Sequence, residues 1–175
     1  MLFYIIITIV IIQRLVELII AKRNEKWMRS QGAFEAGAGH YPIMVSLHMA
    51  FFISLILEVL LLDRSLSPLW IMLLIIFLLA QIARIWCLTS LGRFWNTKII
   101  ILPGADVVRK GPYQFIRHPN YVIVATELLV LPLLFSAYFT AIIFSLLNLW
   151  MLSVRIPTEE KALKEATNYQ MKFHK

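Results

Sequence analysis

The chain has 175 residues, of which 60% are hydrophobic and 15% are charged, and its net charge is +7. Soluble domains average about 45–50% apolar and about 25% charged residues, so this composition excludes an ordinary soluble domain and indicates an integral membrane protein. A spanning helix needs about 20 apolar residues, so four or five spans use the whole chain as one membrane domain, residues 1–175. The single cysteine, Cys87, excludes an internal disulfide framework.

The hydrophobic stretches, taken in chain order, predict an all-α bundle of five transmembrane helices. Three spans occupy residues 1–91, and residues 92–175 hold a polar segment, a short helical hairpin and a tail. The predicted spans are Leu2–Ala21, Pro42–Leu62, Leu66–Leu91, Tyr121–Phe135 and Ala137–Val154. The connection at Ser136-Ala137 is tight, so the last two spans must return to the membrane face from which they started.

The tail that follows the fifth span predicts an amphipathic C-terminal helix. Pro157 suits its first turn, and an apolar stripe recurs at helical spacing, formed by Ala162, Ala166, Tyr169 and Phe173. If this stripe packs on the membrane body, Glu159 points inward more than Glu160. The alternative is that both acids only complement a helix N-terminus.

The placement of the basic residues predicts the orientation. Of the 17 Lys and Arg residues, 14 lie in the connection between spans one and two, the connection between spans three and four, and the tail region. Five spans place all three regions on one side, which the positive-inside rule makes cytoplasmic. We therefore expect the N-terminus outside and the C-terminus inside, in the cytoplasmic membrane.

Several ionisable residues fall inside predicted spans, where each is by default a candidate site residue. Arg14 and Glu17 are three apart on one helical face and can pair. Glu58, Arg84 and Glu127 are explained equally well by a functional role or by mutual pairing. His40 and His48 have no neighbouring ligand set, so we expect no metal site.

A polar cluster at 111–121 precedes the hairpin. Gly111-Pro112 indicates a turn, Arg117 and His118 can hydrogen-bond an anionic group, and Pro119 can begin the next helix, whose free N–H groups also attract anions. The alternative is ordinary interfacial charge, since Arg and Tyr are common at membrane interfaces.

A second cluster follows the hairpin and adds acceptors. The carboxylate of Glu159 can bind ribose hydroxyls or an amine, and Arg155 lies four residues earlier. A site with one group that binds an anion and another that binds hydroxyls or an amine suits a zwitterionic nucleoside cofactor. The hairpin should bring both clusters to one membrane face.

The two clusters together resemble the isoprenylcysteine carboxyl methyltransferase family. The residues that carry the resemblance are Gly111-x-Tyr113-x-x-x-Arg117-His118-Pro119-x-Tyr121, the hydrophobic hairpin, and Arg155-x-x-x-Glu159-Glu160. The N-terminal half is similar to small bacterial members, some of which are thought to O-methylate long-chain alkylpyrones. The resemblance implies an integral membrane enzyme that uses S-adenosylmethionine to methylate a carboxylate or acidic hydroxyl.

The resemblance also implies roles for individual residues. Catalysis would fall to Arg155, which orients the acceptor, and to His118, which with Glu160 is a candidate base for a phenolic acceptor. The cofactor would be bound by Tyr113, Arg117, His118, Pro119, Asn120, Tyr121, Glu159 and the backbone around Ala105, Asp106, Val107 and Val108. The partners would be a lipophilic small molecule and membrane lipid, with no nucleic acid.

Two other functions remain open at this point. Membrane sterol-type reductases carry a similar Arg-His-Pro-x-Tyr segment and bind NADPH, although they usually have more spans. A non-enzymatic transporter or assembly protein predicts charges that line a pore.

Overall fold

A computed structural model describes residues 1–173, and it is mostly helical (76%). The helices are α1 (Leu2–Ser30), α2 (Tyr41–Leu61), α3 (Trp70–Leu91), α4 (Pro119–Leu134), α5 (Tyr138–Ala166) and α6 (Tyr169–Phe173). Two short strands, β1 (Phe34–Ala36) and β2 (Ile99–Ile101), pair with each other. Single 3₁₀ turns lie at Ala38–His40, Gly92–Phe94 and Gly111–Gln114.

Four of the described helices are long and apolar enough to cross a membrane: α1, α2 with its preceding turn, α3 and α5. This confirms the helical membrane fold. The fifth predicted span is α4, an apolar helix of 16 residues. At about 1.5 Å per residue it covers about 24 Å, less than the ~30 Å of a hydrocarbon core, so the five-span count and the orientation stay predictions.

Two helices extend beyond their predicted ends. α1 continues past Ala21 to Ser30, and α5 continues past Val154 to Ala166. The prediction that a separate tail helix begins at Pro157 is therefore wrong, because Pro157 lies inside α5. A proline removes one backbone hydrogen bond. The backbone hydrogen bonds before and after Pro157 keep α5 continuous.

The chain forms two compact units. We call residues Met1–Ala38, Leu91–Val108 and 158–173 the ribbon unit, and residues Gly39–Ser90 and Arg109–Pro157 the hairpin unit. The helix α5 contributes residues to both.

The ribbon unit contains the antiparallel pair β1–β2, in which Phe34 lies opposite Ile101 and Ala36 lies opposite Ile99. Ile99 and Ile101 form a buried cluster with Ala162 of α5. The apolar stripe of the tail thus packs against this ribbon, a contact that the sequence pattern does not predict. Strands of three residues are too short to show a period of two in the sequence. The side chain of Phe173, the last member of that stripe, lies outside the described residues.

Charged side chains brace the ribbon unit. Lys98 forms ion pairs with Glu25 (3.1 Å) and Glu35 (3.3 Å). Partial burial opposes the charged form of Lys98, but the hydrogen bonds to the two carboxylates outweigh it and raise its pKa. On α1, Arg14 and Glu17 pair at 2.8 Å, which confirms the predicted interaction.

In the hairpin unit, Glu58 of α2 caps the start of α5. Its carboxylate accepts hydrogen bonds from the backbone N–H groups of Phe139 (3.2 Å) and Thr140 (2.8 Å), and from the Thr140 hydroxyl (2.8 Å). The first N–H groups of a helix have no partner within it, and an acidic group there complements the helix dipole. Arg64, at 3.4 Å, balances the charge of Glu58.

A second buried polar group joins α3 to α4 in the hairpin unit. The Arg84 guanidinium binds the Glu127 carboxylate through both Nε (2.9 Å) and Nη2, and the Gln81 amide donates to the same carboxylate at 2.7 Å. Arg84 and Glu127 are only 3% and 4% exposed. The geometry supports mutual pairing as the role of these two intramembrane charges.

Candidate active site

The polar cluster at 111–121 begins with a tight turn held against the end of α3. Gly111 has φ +58°, and a Cβ atom at this position would collide with Ser90 Oγ and approach Trp86 Nε1 to 2.9 Å. Only glycine adopts this backbone conformation without strain and also leaves that space empty. Gly111 therefore allows the turn to lie directly on α3.

We expect the change Gly111→Ala to destabilise the protein, because it combines backbone strain, about 1–3 kcal/mol, with a steric collision. The measurement is the thermal unfolding midpoint in detergent. Gly39→Ala is the matched control, since a Cβ at Gly39 meets nothing within 4 Å. Equal midpoints for the two variants would contradict the account of Gly111.

Tyr113 also holds this turn against α3. It is 8% exposed and shares a side-chain hydrogen bond with the Cys87 thiol of α3. The backbone N–H groups of Phe115 and Ile116 both donate to the Pro112 carbonyl at 3.1 Å. Side chains and backbone thus hold the segment before α4 in one conformation.

The predicted site residues continue into the first turn of α4. His118 occupies the position before the helix, and Pro119 is its first residue. The rings of His118 and Tyr121 stack with centroids 5.5 Å apart and an angle of 27° between their planes. The Asn120 Oδ1 atom is buried and has no hydrogen-bond partner among the described residues, so it is available to a ligand.

Arg155 of α5 meets this turn, as the hairpin predicted. Its Nε donates to the Tyr121 hydroxyl at 3.4 Å, and its guanidinium carbon lies 5.9 Å from the centre of the Tyr121 ring. Arg155 is 4% exposed. His118, Tyr121 and Arg155 therefore form a continuous row of aromatic and cationic groups, in which the ring face of Tyr121 favours the nearby cation.

The segment that the resemblance assigns to the adenosine belongs to the ribbon unit. The Asn168 side chain accepts from the Val107 backbone N–H at 2.9 Å and donates to the Asp106 carboxylate. The Gly104 N–H donates to the Ala166 carbonyl at 2.8 Å. Asn168 was missed in the sequence, where its only signal is a polar residue just after the end of a helix.

The two acids of the second cluster also lie in the ribbon unit, and both are partly buried. Glu160 accepts hydrogen bonds from Lys164 (3.2 Å) and from the Tyr169 hydroxyl (3.3 Å). These local partners explain Glu160 without a ligand. The cofactor-binding role of Glu159 stays a prediction, as do those of Ala105, Asp106, Val107 and Val108. Among residues 1–173 no group of three or more His, Cys, Asp or Glu side chains could hold a metal ion.

Comparisons with known proteins point to one family. The model of the isoprenylcysteine carboxyl methyltransferase family matches residues 72–165, a range that contains both the 111–121 cluster and Arg155. The chain is 47% identical over 163 residues to "Uncharacterized protein YpbQ" of Bacillus subtilis, covering 93% of this chain and 97% of the relative. It is 30% identical over 151 residues to an "Uncharacterized protein" of Haemophilus influenzae, covering 86% of this chain and 88% of the relative.

No solved structure matches the chain significantly. The family match includes more than half of the residues and the whole predicted hairpin. The chain therefore belongs to the isoprenylcysteine carboxyl methyltransferase family, whose members are membrane methyltransferases.

Proposed function

We propose that the protein is an S-adenosylmethionine-dependent O-methyltransferase that methylates a carboxylate or acidic hydroxyl on a lipophilic molecule. The observation that carries the proposal is the row His118–Tyr121–Arg155, which lies inside the range matched by the family. The same match favours methyl transfer over an NADPH-dependent reductase and over a transporter.

The chemistry of this row suits the reaction. Stacked aromatic rings can lie against a sulfonium cation, which ring faces attract, and the N-terminus of α4 offers free N–H groups to the cofactor's carboxylate. Arg155 would hold the oxygen of the acceptor. Because the sulfonium is already activated, catalysis rests mainly on alignment of the oxygen with the methyl carbon and on exclusion of water.

The proposed location is the cytoplasmic membrane, with the cofactor entering from the cytosol and the acceptor from the lipid. The support is that 14 of the 17 basic residues lie in three regions that a five-span chain places on one side of the membrane. Residues exposed on the long helices, such as Ile85, Ile142 and Leu146, are large and apolar, which suits contact with acyl chains.

Isothermal titration of the detergent-purified protein with S-adenosylhomocysteine tests the cofactor. We expect the wild type to bind, and we expect His118→Ala and Tyr121→Ala to weaken binding at least tenfold because each removes half of the stacked pair. Phe115→Ala is the matched control, since this aromatic residue of the same segment is 78% exposed.

Two outcomes would contradict the proposal. One is no binding of S-adenosylhomocysteine by the wild type at millimolar concentration. The other is binding of NADPH in its place, which would favour a reductase.

A further inference from the structure

The ring nitrogens of His40 are an unexplained feature of the hairpin unit. Nδ1 and Nε2 are both hidden from solvent, and neither has a hydrogen-bond partner among residues 1–173. More than about 90% of buried polar groups are paired in proteins, and leaving one unpaired is costly. A buried imidazole with both nitrogens unpaired therefore indicates a site in which a bound ligand supplies the hydrogen-bond partner.

The packing of α2 against α5 sets the position of His40. Phe51 and Phe144 are in ring contact at 5.6 Å, and Ser54 hydrogen-bonds Thr140 at 2.9 Å, so the two helices run antiparallel. His40 lies eleven residues before Phe51, and Arg155 lies eleven residues after Phe144. Equal numbers of residues cover nearly equal lengths of helix, so His40 and Arg155 lie at the same level.

The two side chains are close enough for the positive charge of Arg155 to act on the His40 imidazole, which agrees with this placement. Arg155 also contacts Tyr121, which stacks on His118. His40 therefore extends the row of His118, Tyr121 and Arg155 at the Arg155 end.

The seam between α2 and α5 holds a second unpaired polar atom. Asn148 Nδ2 is buried without a partner among the described residues, and the whole residue is 3% exposed. It lies seven residues, about two turns, before Arg155 and so on the same face of α5. Because two unpaired groups lie along one seam, they indicate a binding site for the polar headgroup of a ligand and not a defect of packing at one residue.

We propose that His40 is the base that takes the proton from the acceptor, and that the acceptor is therefore a weakly acidic hydroxyl of the phenol class on a lipophilic molecule. This inference rests on the proposed methyl transfer. A carboxylate acceptor is already ionised at neutral pH and needs no base. A phenol has a pKa of about 10 and must lose its proton to react. A histidine is largely uncharged at pH 7 and can accept a proton.

Each turnover moves one proton and one methyl group. The O–H bond breaks as a ring nitrogen of His40 takes the proton, while the Arg155 cation stabilises the developing oxyanion. The oxygen lone pair forms a bond to the methyl carbon, and the electron pair of the carbon–sulfur bond returns to sulfur. The products are a methyl ether, S-adenosylhomocysteine and protonated His40, which releases its proton to water after the ether has left the site.

The test uses the full-length protein in detergent, S-adenosylmethionine and 4-dodecylphenol, with the methyl ether measured by mass spectrometry. A general base contributes about 10²–10⁴-fold, so we expect His40→Gln to lower the rate of ether formation at least 100-fold. Glutamine keeps a hydrogen-bonding group of similar size but cannot accept the proton. Binding of S-adenosylhomocysteine should stay within twofold of wild type, which also shows that the variant is folded.

His48→Gln is the matched control on the same helix. Its Nδ1 already contacts the Met44 carbonyl at 2.8 Å, so we expect wild-type rates. The proposal is overturned if wild-type protein that binds S-adenosylhomocysteine forms no ether from the phenol, or if His40→Gln forms it at the wild-type rate. Failure of wild type to bind S-adenosylhomocysteine is a different result, which refutes the proposed function itself.

Discussion

Replacing Arg155 by lysine is expected to lower methyl transfer by about 10²–10³-fold, the usual effect of removing one group that stabilises transition-state charge. Lysine keeps the positive charge but lacks the planar fork of donors, so it loses the bond to the Tyr121 hydroxyl and the fixed direction of the remaining N–H groups. The measurement is transfer of a radiolabelled methyl group from S-adenosylmethionine to a long-chain fatty acid or alkylphenol, whichever the wild type methylates.

The same substitution at Arg23 serves as the control, because Arg23 is exposed on α1 and far in sequence from the motif. Affinity for S-adenosylhomocysteine should change little in Arg155→Lys, since the predicted role of Arg155 is to orient the acceptor. Wild-type turnover by Arg155→Lys would exclude that role.

Replacing Glu127 by alanine is expected to destabilise the protein by about 3–5 kcal/mol, the usual effect of leaving one partner of a buried ion pair without the other. Arg84 is 3% exposed and would keep its charge between α3 and α4. The measurement is the shift in the unfolding transition in detergent, followed by tryptophan fluorescence.

The double variant Arg84→Met with Glu127→Leu tests the cause of that loss. Replacing both partners of a buried ion pair by apolar residues of similar volume is often neutral or stabilising, so we expect it to recover most of the stability. A double variant as unstable as Glu127→Ala would show that the packing of Glu127, and not an unpaired charge, is responsible.

The sequence predicted the helical hairpin and the meeting of the two polar clusters at its ends, because both depend on local signals. Apolar runs mark α4 and α5, and the short connection at Ser136 forces the chain to reverse its direction between them. The contact of Tyr121 with Arg155 follows from that geometry, although 34 residues separate the two positions. The family resemblance was equally accessible, since it depends on residue order within 111–121 and 155–160.

Contacts between distant segments were not accessible in the same way. The strands β1 and β2 have three residues each, too few for an alternating pattern, and they form only because they meet. The role of Glu58 also depends on a contact with a distant segment. It was one of three charges without an assigned role until the structure placed it at the start of α5. The helix start predicted at Pro157 is wrong, because proline is common at the start of a helix and rare in its interior, where this one lies.

The sequence by itself determined that this is a helical membrane protein, where its apolar helices lie, and which motif it carries, because hydropathy and residue order are properties of the chain alone. Only the tertiary structure decided which charges are structural, how the Gly111 turn rests on α3, and that both nitrogens of His40 are unpaired at the level of Arg155. Burial and hydrogen bonding are properties of contacts between segments far apart in the chain, and those contacts exist only after the helices pack.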